Sequence, residues 1–183
     1  MKVVVVSNGG GLDNLQVVER ADPTPKPNEV IVKWHATSLN YHDYLVGAGA
    51  IPVLDGRIPM SDGAGEIIAI GSDVSAWKAG DKVMSIFFPF WVEGKATFRK
   101  MVGVSGETVD GYIAEHSAVS ASAISAMPEG FSYAEAATLP CAGLTAWRGL
   151  IVEGKIKAGE SVLIEGSGGM SILGLQLAKM AGA

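Results

Sequence analysis

The chain has 183 residues, 48% of them apolar and 24 of them glycine, with 14 basic against 19 acidic side chains and a net charge of −5. That length holds one ordinary domain, or one domain with part of a second, and the apolar content excludes extensive disorder. Mild acidity without a lysine or arginine cluster argues against nucleic acid or an anionic membrane as partner.

Lys2 to Ser7 reads as a strand, Asn8 to Gly11 as a turn and Leu15 to Arg20 as a second strand. The proline-rich run from Asp22 to Asn28 is an extended connector that cannot lie inside a helix. Glu29 to Leu39 is a third strand, with further candidates at Gly65 to Ile70, Lys82 to Phe87 and Gly111 to Glu115. Gly71, Gly80-Asp81 and Gly106 punctuate them, and this spacing of short strands points to a small barrel. The character changes near Pro128. Ser132-Tyr-Ala-Glu135 is a capping box opening a short helix, and a second helix is expected from Ala142 to Val152.

Val162, Leu163 and Ile164 form an apolar run of the kind a buried parallel strand shows. Gly166-Ser-Gly168-Gly169-Met-Ser171 follows at once and opens a helix with apolar residues from Ile172 to Met180. Glycines in such a turn permit a tight bend and close approach of the backbone to a pyrophosphate, while the helix N-terminus offers free amides. The third position of the GxGxxG pattern is Ser171, and a glycine-rich turn without a ligand fits the same residues. Cys141 stands alone, so no internal disulfide or cysteine-only structural zinc site can form, and a reducing, cytoplasmic setting is expected. No uncharged apolar run approaches a membrane span, and the N-terminus lacks a signal-peptide pattern.

Several segments fall in one order along the chain. They are Pro23 to Pro27 followed by Glu29-Val-Ile-Val-Lys33, Ser38-Leu-Asn-Tyr-His-Asp43, Asp62-Gly-Ala-Gly65 and Gly71-Ser-Asp-Val74. After these come Trp77 through Gly80-Asp-Lys-Val83, Asp110-Gly-Tyr112, Leu139-Pro-Cys-Ala-Gly-Leu-Thr-Ala-Trp147 and the glycine turn. In this series the chain resembles the first half of a medium-chain dehydrogenase/reductase, most closely the zinc-independent quinone oxidoreductase and alcohol-dehydrogenase-like members.

The resemblance implies a mixed α and β fold. A GroES-like β-barrel that takes substrate (residues 1–127) leads through a helical connection (128–158) to the first strand, glycine turn and helix of an incomplete Rossmann domain (159–183). It implies hydride transfer between a nicotinamide cofactor, NADP or NAD with NADPH ahead, and a quinone, enone, aldehyde or alcohol. The family chain is nearly twice this long and often dimerises, so this chain is expected to be a fragment of such a parent. A non-catalytic GroES-like module is the alternative for the 183 residues alone.

Zinc members of the superfamily hold their catalytic metal at positions that here carry Asn40, Ser61 and Cys141, a set too poor in thiolate and imidazole for zinc. The resemblance assigns Asn40 as hydrogen-bond donor to a carbonyl oxygen and His42 to the place of a relay hydroxyl, where an imidazole can give up a proton. A hydrogen-bonded loop histidine is the competing reading of His42. Tyr41 is a candidate for contact with cofactor or substrate, Asp43 a brace for the loop, and Thr145 a neighbour of the nicotinamide. Gly166, Ser167, Gly168, Gly169, Met170 and Ser171 are the cofactor-binding turn. Phe87, Phe88, Phe90 and Trp91 either wall an apolar substrate pocket or fill core, and Trp147 is assigned to core.

Overall fold

β3 (Glu29–Ser38) is the longest strand of the computed structural model, which covers residues 1–183, and it organises the sheet. Its run of β-branched residues suits an extended chain with both faces covered, and Val30, Ile31 and Val32 are buried in succession. β4 (Asp62–Ile70) and β6 (His116–Ser120) flank it antiparallel, and β5 (Lys82–Ser85) and β7 (Ile124–Ala126) complete the sheet in the order β6-β3-β4-β5-β7. Register shifts at Ile31/Val32 and Trp34/Ala36 bend β3 against β4. Gly65 sits opposite the second shift, where any Cβ would collide with the Lys33 backbone carbonyl.

A separate hairpin of β1 (Lys2–Val6) and β2 (Leu15–Glu19) joins this sheet through residues 113–115. Val4 N–H donates to the Ile113 carbonyl at 3.0 Å, Glu115 N–H to Lys2 at 3.1 Å and Trp34 N–H to Glu115 at 3.0 Å. The stretch read as a strand at Gly111 to Glu115 is therefore an irregular bridge, and the regular strand begins at His116. Gly111 packs against the Pro59 and Met60 carbonyls, which pins the chain before it can enter a ladder.

Val30, Val32, Trp34, Ile67, Val83, Tyr112 and Ile124 form the barrel core. Each fully buried aliphatic side chain there contributes roughly 1.5–3 kcal/mol. The loop after β5 carries a short helix α2 (Phe98–Met101). α3 (Tyr133–Ala136) starts at Ser132, whose Oγ accepts the Glu135 N–H at 3.3 Å while the Glu135 carboxylate accepts the Ser132 N–H at 2.9 Å. Ala136 and Ala137 close against Ala64 and Met84 in a second apolar cluster.

The helix expected at Ala142 to Val152 forms within one unbroken helical run, residues 139–153, of which only the middle is regular α-helix. α4 (Leu144–Trp147) is flanked by wide π-type turns at Leu139–Gly143 and Arg148–Glu153. Pro140 supplies no N–H to the first turn, and the Gly154 N–H closes onto the Gly149 carbonyl five residues back at 2.9 Å. Trp147 is 41% exposed, so it is not a core residue.

α5 (Gly169–Met180) packs on α4 and on Leu139–Gly143, with Gly174 and Ala178 buried four residues apart on one face. The strand expected at Val162 to Ile164 is absent. Those residues have no pairing strand, Leu163 is 84% exposed, and an unpaired extended segment leaves its backbone groups to water. No helix is long and apolar enough to cross a membrane.

Candidate functional site at the end of the third strand

β3 ends at Ser38, and the segment expected to be a loop at Asn40 to Asp43 turns instead into helix α1 (Tyr41–Gly47). Asn40 is its N-cap residue, and Asp43, at the third helical position, reaches back to accept the Asn40 N–H at 2.8 Å. The Asn-x-x-Asp spacing is a capping signal that could have been read from the sequence. Asp43 also accepts the Ser61 N–H on Oδ1 at 2.8 Å and the Ser61 hydroxyl on Oδ2 at 3.2 Å. The expected brace is thus a buried carboxylate that ties α1 to the start of β4.

The Asn40 carboxamide N–H groups are both engaged, one on Ser61 Oγ at 3.1 Å and one on Asp62 Oδ2 at 3.0 Å. Asp62 Oδ2 takes the Cys141 backbone N–H as well, at 3.1 Å, which joins the π-type turn to the barrel. Asp62 Oδ1 is buried without a partner. Burial raises the Asp62 carboxyl to about 6, assisted by the Asp43 charge and opposed by the bonds from Asn40 and Cys141. The Cys141 thiol is pushed up to about 11 by burial and by the Asp62 and Asp43 charges. Asp62 has no role legible in the sequence, because a buried carboxylate beside glycines leaves no periodic signal.

His42 is half-buried, with Nε2 2.8 Å from Glu107 Oε2 and Nδ1 3.5 Å from Asp43 Oδ1. The Nδ1 contact is an ion-pair distance without hydrogen-bond alignment. The Asp43 carboxylate, with Glu107 adding, holds His42 above the ordinary imidazole value against the opposing effect of burial. The imidazole meets Phe87 edge-on, centroids 5.6 Å apart. Glu107 was not expected at all; it lies in a loop far along the chain. Tyr41 is 76% exposed and stacks on Tyr44, so the structure does not bring it to Asn40 and His42.

Beside this cluster opens a cleft of about 510 Å³. Phe87, Phe88 and Trp91 wall one side and Cys141, Thr145 and Arg148 the other, so Thr145 faces the aromatic wall. Phe90 does not line the cleft; its ring packs against Gly103. Gly166 adopts a left-handed φ of 85°, and Ser171 Oγ closes the turn on the Glu165 carbonyl at 3.0 Å. Gly168 caps α5 without a side-chain bond, Gly169 begins it, and a Cβ at either would stand in open space. Ser167 and Met170 are exposed around the same uncapped amides.

A bulged antiparallel barrel whose first long strand delivers a polar cluster to an apolar cleft, followed by a glycine turn and helix, defines the class of alcohol-dehydrogenase-like folds. The alcohol dehydrogenase GroES-like domain model matches residues 26–129, and the chain belongs to that family, within the medium-chain dehydrogenase/reductase superfamily. A zinc-type alcohol dehydrogenase-like protein of Schizosaccharomyces pombe is 38% identical, over 100% of this chain and 54% of its own length. A chloroplast envelope quinone oxidoreductase homolog of Arabidopsis thaliana is 37% identical over 97% of this chain and 51% of its own. The cobalt- and zinc-bound thermostable alcohol dehydrogenase of Pyrobaculum aerophilum superposes with a TM-score of 0.85 at 32% identity, covering 100% of this chain and 57% of that one. The chain spans about half the length of the curated relatives it matches.

Proposed function

We propose that this chain is the substrate-binding part, with the opening of the cofactor site, of an NAD(P)H-dependent oxidoreductase that works on a quinone, enone, aldehyde or alcohol without catalytic zinc. The observation that carries the reading is the engagement of Asn40, Ser61 and Cys141. At the positions that ligate zinc in relatives, a carboxamide donates to a hydroxyl and a carboxylate, and the thiol is held neutral. A metal would need lone pairs turned inward and a thiolate, so this donor set does not fit zinc.

The nicotinamide cofactor fits. Gly168 and Gly169 leave the room a pyrophosphate requires, the first amides of α5 lack a side-chain cap, and Thr145 is open to the cleft. When bound, that cofactor supplies hydride. The Phe87, Phe88 and Trp91 wall excludes water and takes an apolar carbonyl compound. The proton for the developing oxyanion is assigned to His42, which abuts the cleft wall at Phe87 and would have to turn its ring from Glu107 and Asp43 to reach a substrate. Asn40, whose N–H groups are already occupied, holds Ser61 and Asp62 in place and does not itself meet the substrate. On this reading residues 1–127 are the substrate domain, 128–158 the connection and 159–183 the start of the nucleotide domain.

The test is the protein formed by this chain together with the sequence that continues it in its parent. It is expected to quench or shift NADPH or NADH fluorescence and to oxidise one of them with quinones, enones or aldehydes after treatment with a chelator. Failure to bind either nucleotide, or activity restored only by stoichiometric zinc, overturns the proposal.

A further inference from the structure

The helical run opposite the aromatic wall presents the cleft with three polar side chains in a row. Cys141, Thr145 and Arg148 recur at spacings of four and three residues, so they share one face, and all three line the cleft. Seven residues of helix set Arg148 roughly 10 Å along the axis from Cys141. The inner end is fixed to the polar cluster, since the Cys141 N–H donates to Asp62 Oδ2 at 3.1 Å. The other end spans the opening, where the Arg148 guanidinium stands over the Trp91 ring of the facing wall, 5.8 Å from its centroid. Arg148 is the only charged side chain that lines this cleft.

That guanidinium is only partly engaged. One nitrogen donates to Glu153 Oε1 at 2.7 Å, and both side chains of the pair are more than half exposed, so the pair is weak and exchangeable. Its other N–H groups donate to nothing in the protein. A second cation stands at the same rim. Gly94 lines the cleft, and a Cβ there would lie 3.4 Å from the Lys100 ammonium, which donates to the Glu93 and Lys95 carbonyls and pairs with no carboxylate. No acidic side chain lines the cleft. A guanidinium fork with free donors beside an uncharged wall matches a planar carboxylate. We infer that Arg148 is a specificity residue: it takes the carboxylate of a substrate whose apolar body lies along Phe87, Phe88 and Trp91 and whose carbonyl lies at the Cys141 and Thr145 end. The preferred substrates are elongated aldehydes, enones or quinones that carry a carboxylate at the end far from the reacting carbonyl. Glu153 competes with that carboxylate for the same donors. This deepens the reading of the protein as a carbonyl or quinone reductase and rests on it.

The experiment compares 3-(4-formylphenyl)propanoate with its methyl ester, which keeps the body and loses the charge. In the continued protein with its nicotinamide cofactor, the acid-to-ester ratio of kcat/KM is expected to be about tenfold or more, the scale of one charge-assisted hydrogen bond. Arg148→Gln brings that ratio close to one through the KM of the acid, and Glu153→Gln, which frees the guanidinium, raises it. A ratio near one in the wild type, or a ratio that Arg148→Gln leaves unchanged because both substrates lose alike, overturns the assignment. Isothermal titration of the 183-residue chain with the same acid and ester reads the contact without turnover, and the affinity ratio is expected to follow the same order in the two variants. If that preference depends on Arg148 and neither compound is reduced, the carboxylate site stands and it is the reductase reading that fails. No preference for the acid in either measurement overturns the site itself.

Discussion

Asp62 takes the Asn40 carboxamide N–H at 3.0 Å on one carboxylate oxygen and leaves the other buried and unpartnered. One acceptor is satisfied and a charge is left short of solvation, so the folded protein favours the protonated carboxyl. The folded value of about 6 lies above the reference of 3.8, so the native state binds this proton more tightly than the unfolded chain does. Stability from this group is then full below the reference value and falls as pH rises to the folded one.

Asp62→Asn should remove that burden. Its amide oxygen can accept from Asn40 and Cys141, and no charge remains. Relative to wild type, the variant is expected to gain stability across this window, up to on the order of 3 kcal/mol at about 1.4 kcal/mol per pH unit, and to gain none at the acid end. Urea midpoints of the two proteins from acid to neutral pH measure the difference. A pH-independent difference would show that folding leaves the Asp62 carboxyl at its ordinary value.

Burial first, and then the same carboxylate with Asp43, acts on Cys141. With its thiol pushed up to about 11, little thiolate exists at mildly alkaline pH, and alkylation by iodoacetamide should run on the order of a hundredfold slower than for a free cysteine. Asp62→Asn should accelerate labelling of the folded protein, because one of the two opposing charges is gone. Equal rates in wild type and variant would separate Cys141 from the cluster.

Gly65 marks where β3 and β4 come too close for a side chain. Gly65→Ala would push a methyl into the Lys33 carbonyl, and backbone on backbone cannot be relieved by a rotamer change. A loss of roughly 3 kcal/mol or more in chemical denaturation is expected, at the upper end of overpacking costs. Recovery of wild-type stability would mean that the bulge at Trp34/Ala36 shifts register at little cost.

Much of this architecture is legible in the residues themselves. β3 could be found because Val30 to Val32 are β-branched and lie between a proline connector and a polar stop, and α3 because Ser132 and Glu135 spell its cap. What escaped depends on contacts distant in sequence. Helix α1 is the exception, since the Asn40 and Asp43 cap that opens it is local and only the carboxylate's bond to Ser61 comes from a distant segment. The apolar run at Val162 to Ile164 has strand composition but no strand beside it. In the structure Asn40 and His42 share one cluster and Thr145 lines the cleft beside it, and Glu107 and Asp62 join that cluster only through space.

Gly169 separates what the fold needs from what the proposed cofactor needs. It is the first residue of α5, lies outside the left-handed region, and a Cβ there would meet nothing within 4 Å. Alanine at a helical position with room for it stabilises by about 0.5–1 kcal/mol, through a better helix former and a less flexible unfolded chain. Gly169→Ala is thus expected to raise the melting temperature of the 183-residue chain slightly. The added methyl nevertheless occupies the open space in which a pyrophosphate would approach the amides of the first turn. In the continued protein, NADPH affinity should fall by at least about tenfold, roughly 1.4 kcal/mol. Isothermal titration beside thermal denaturation reads the two effects separately. A stabilised variant that binds NADPH as tightly as wild type would place the dinucleotide away from this turn.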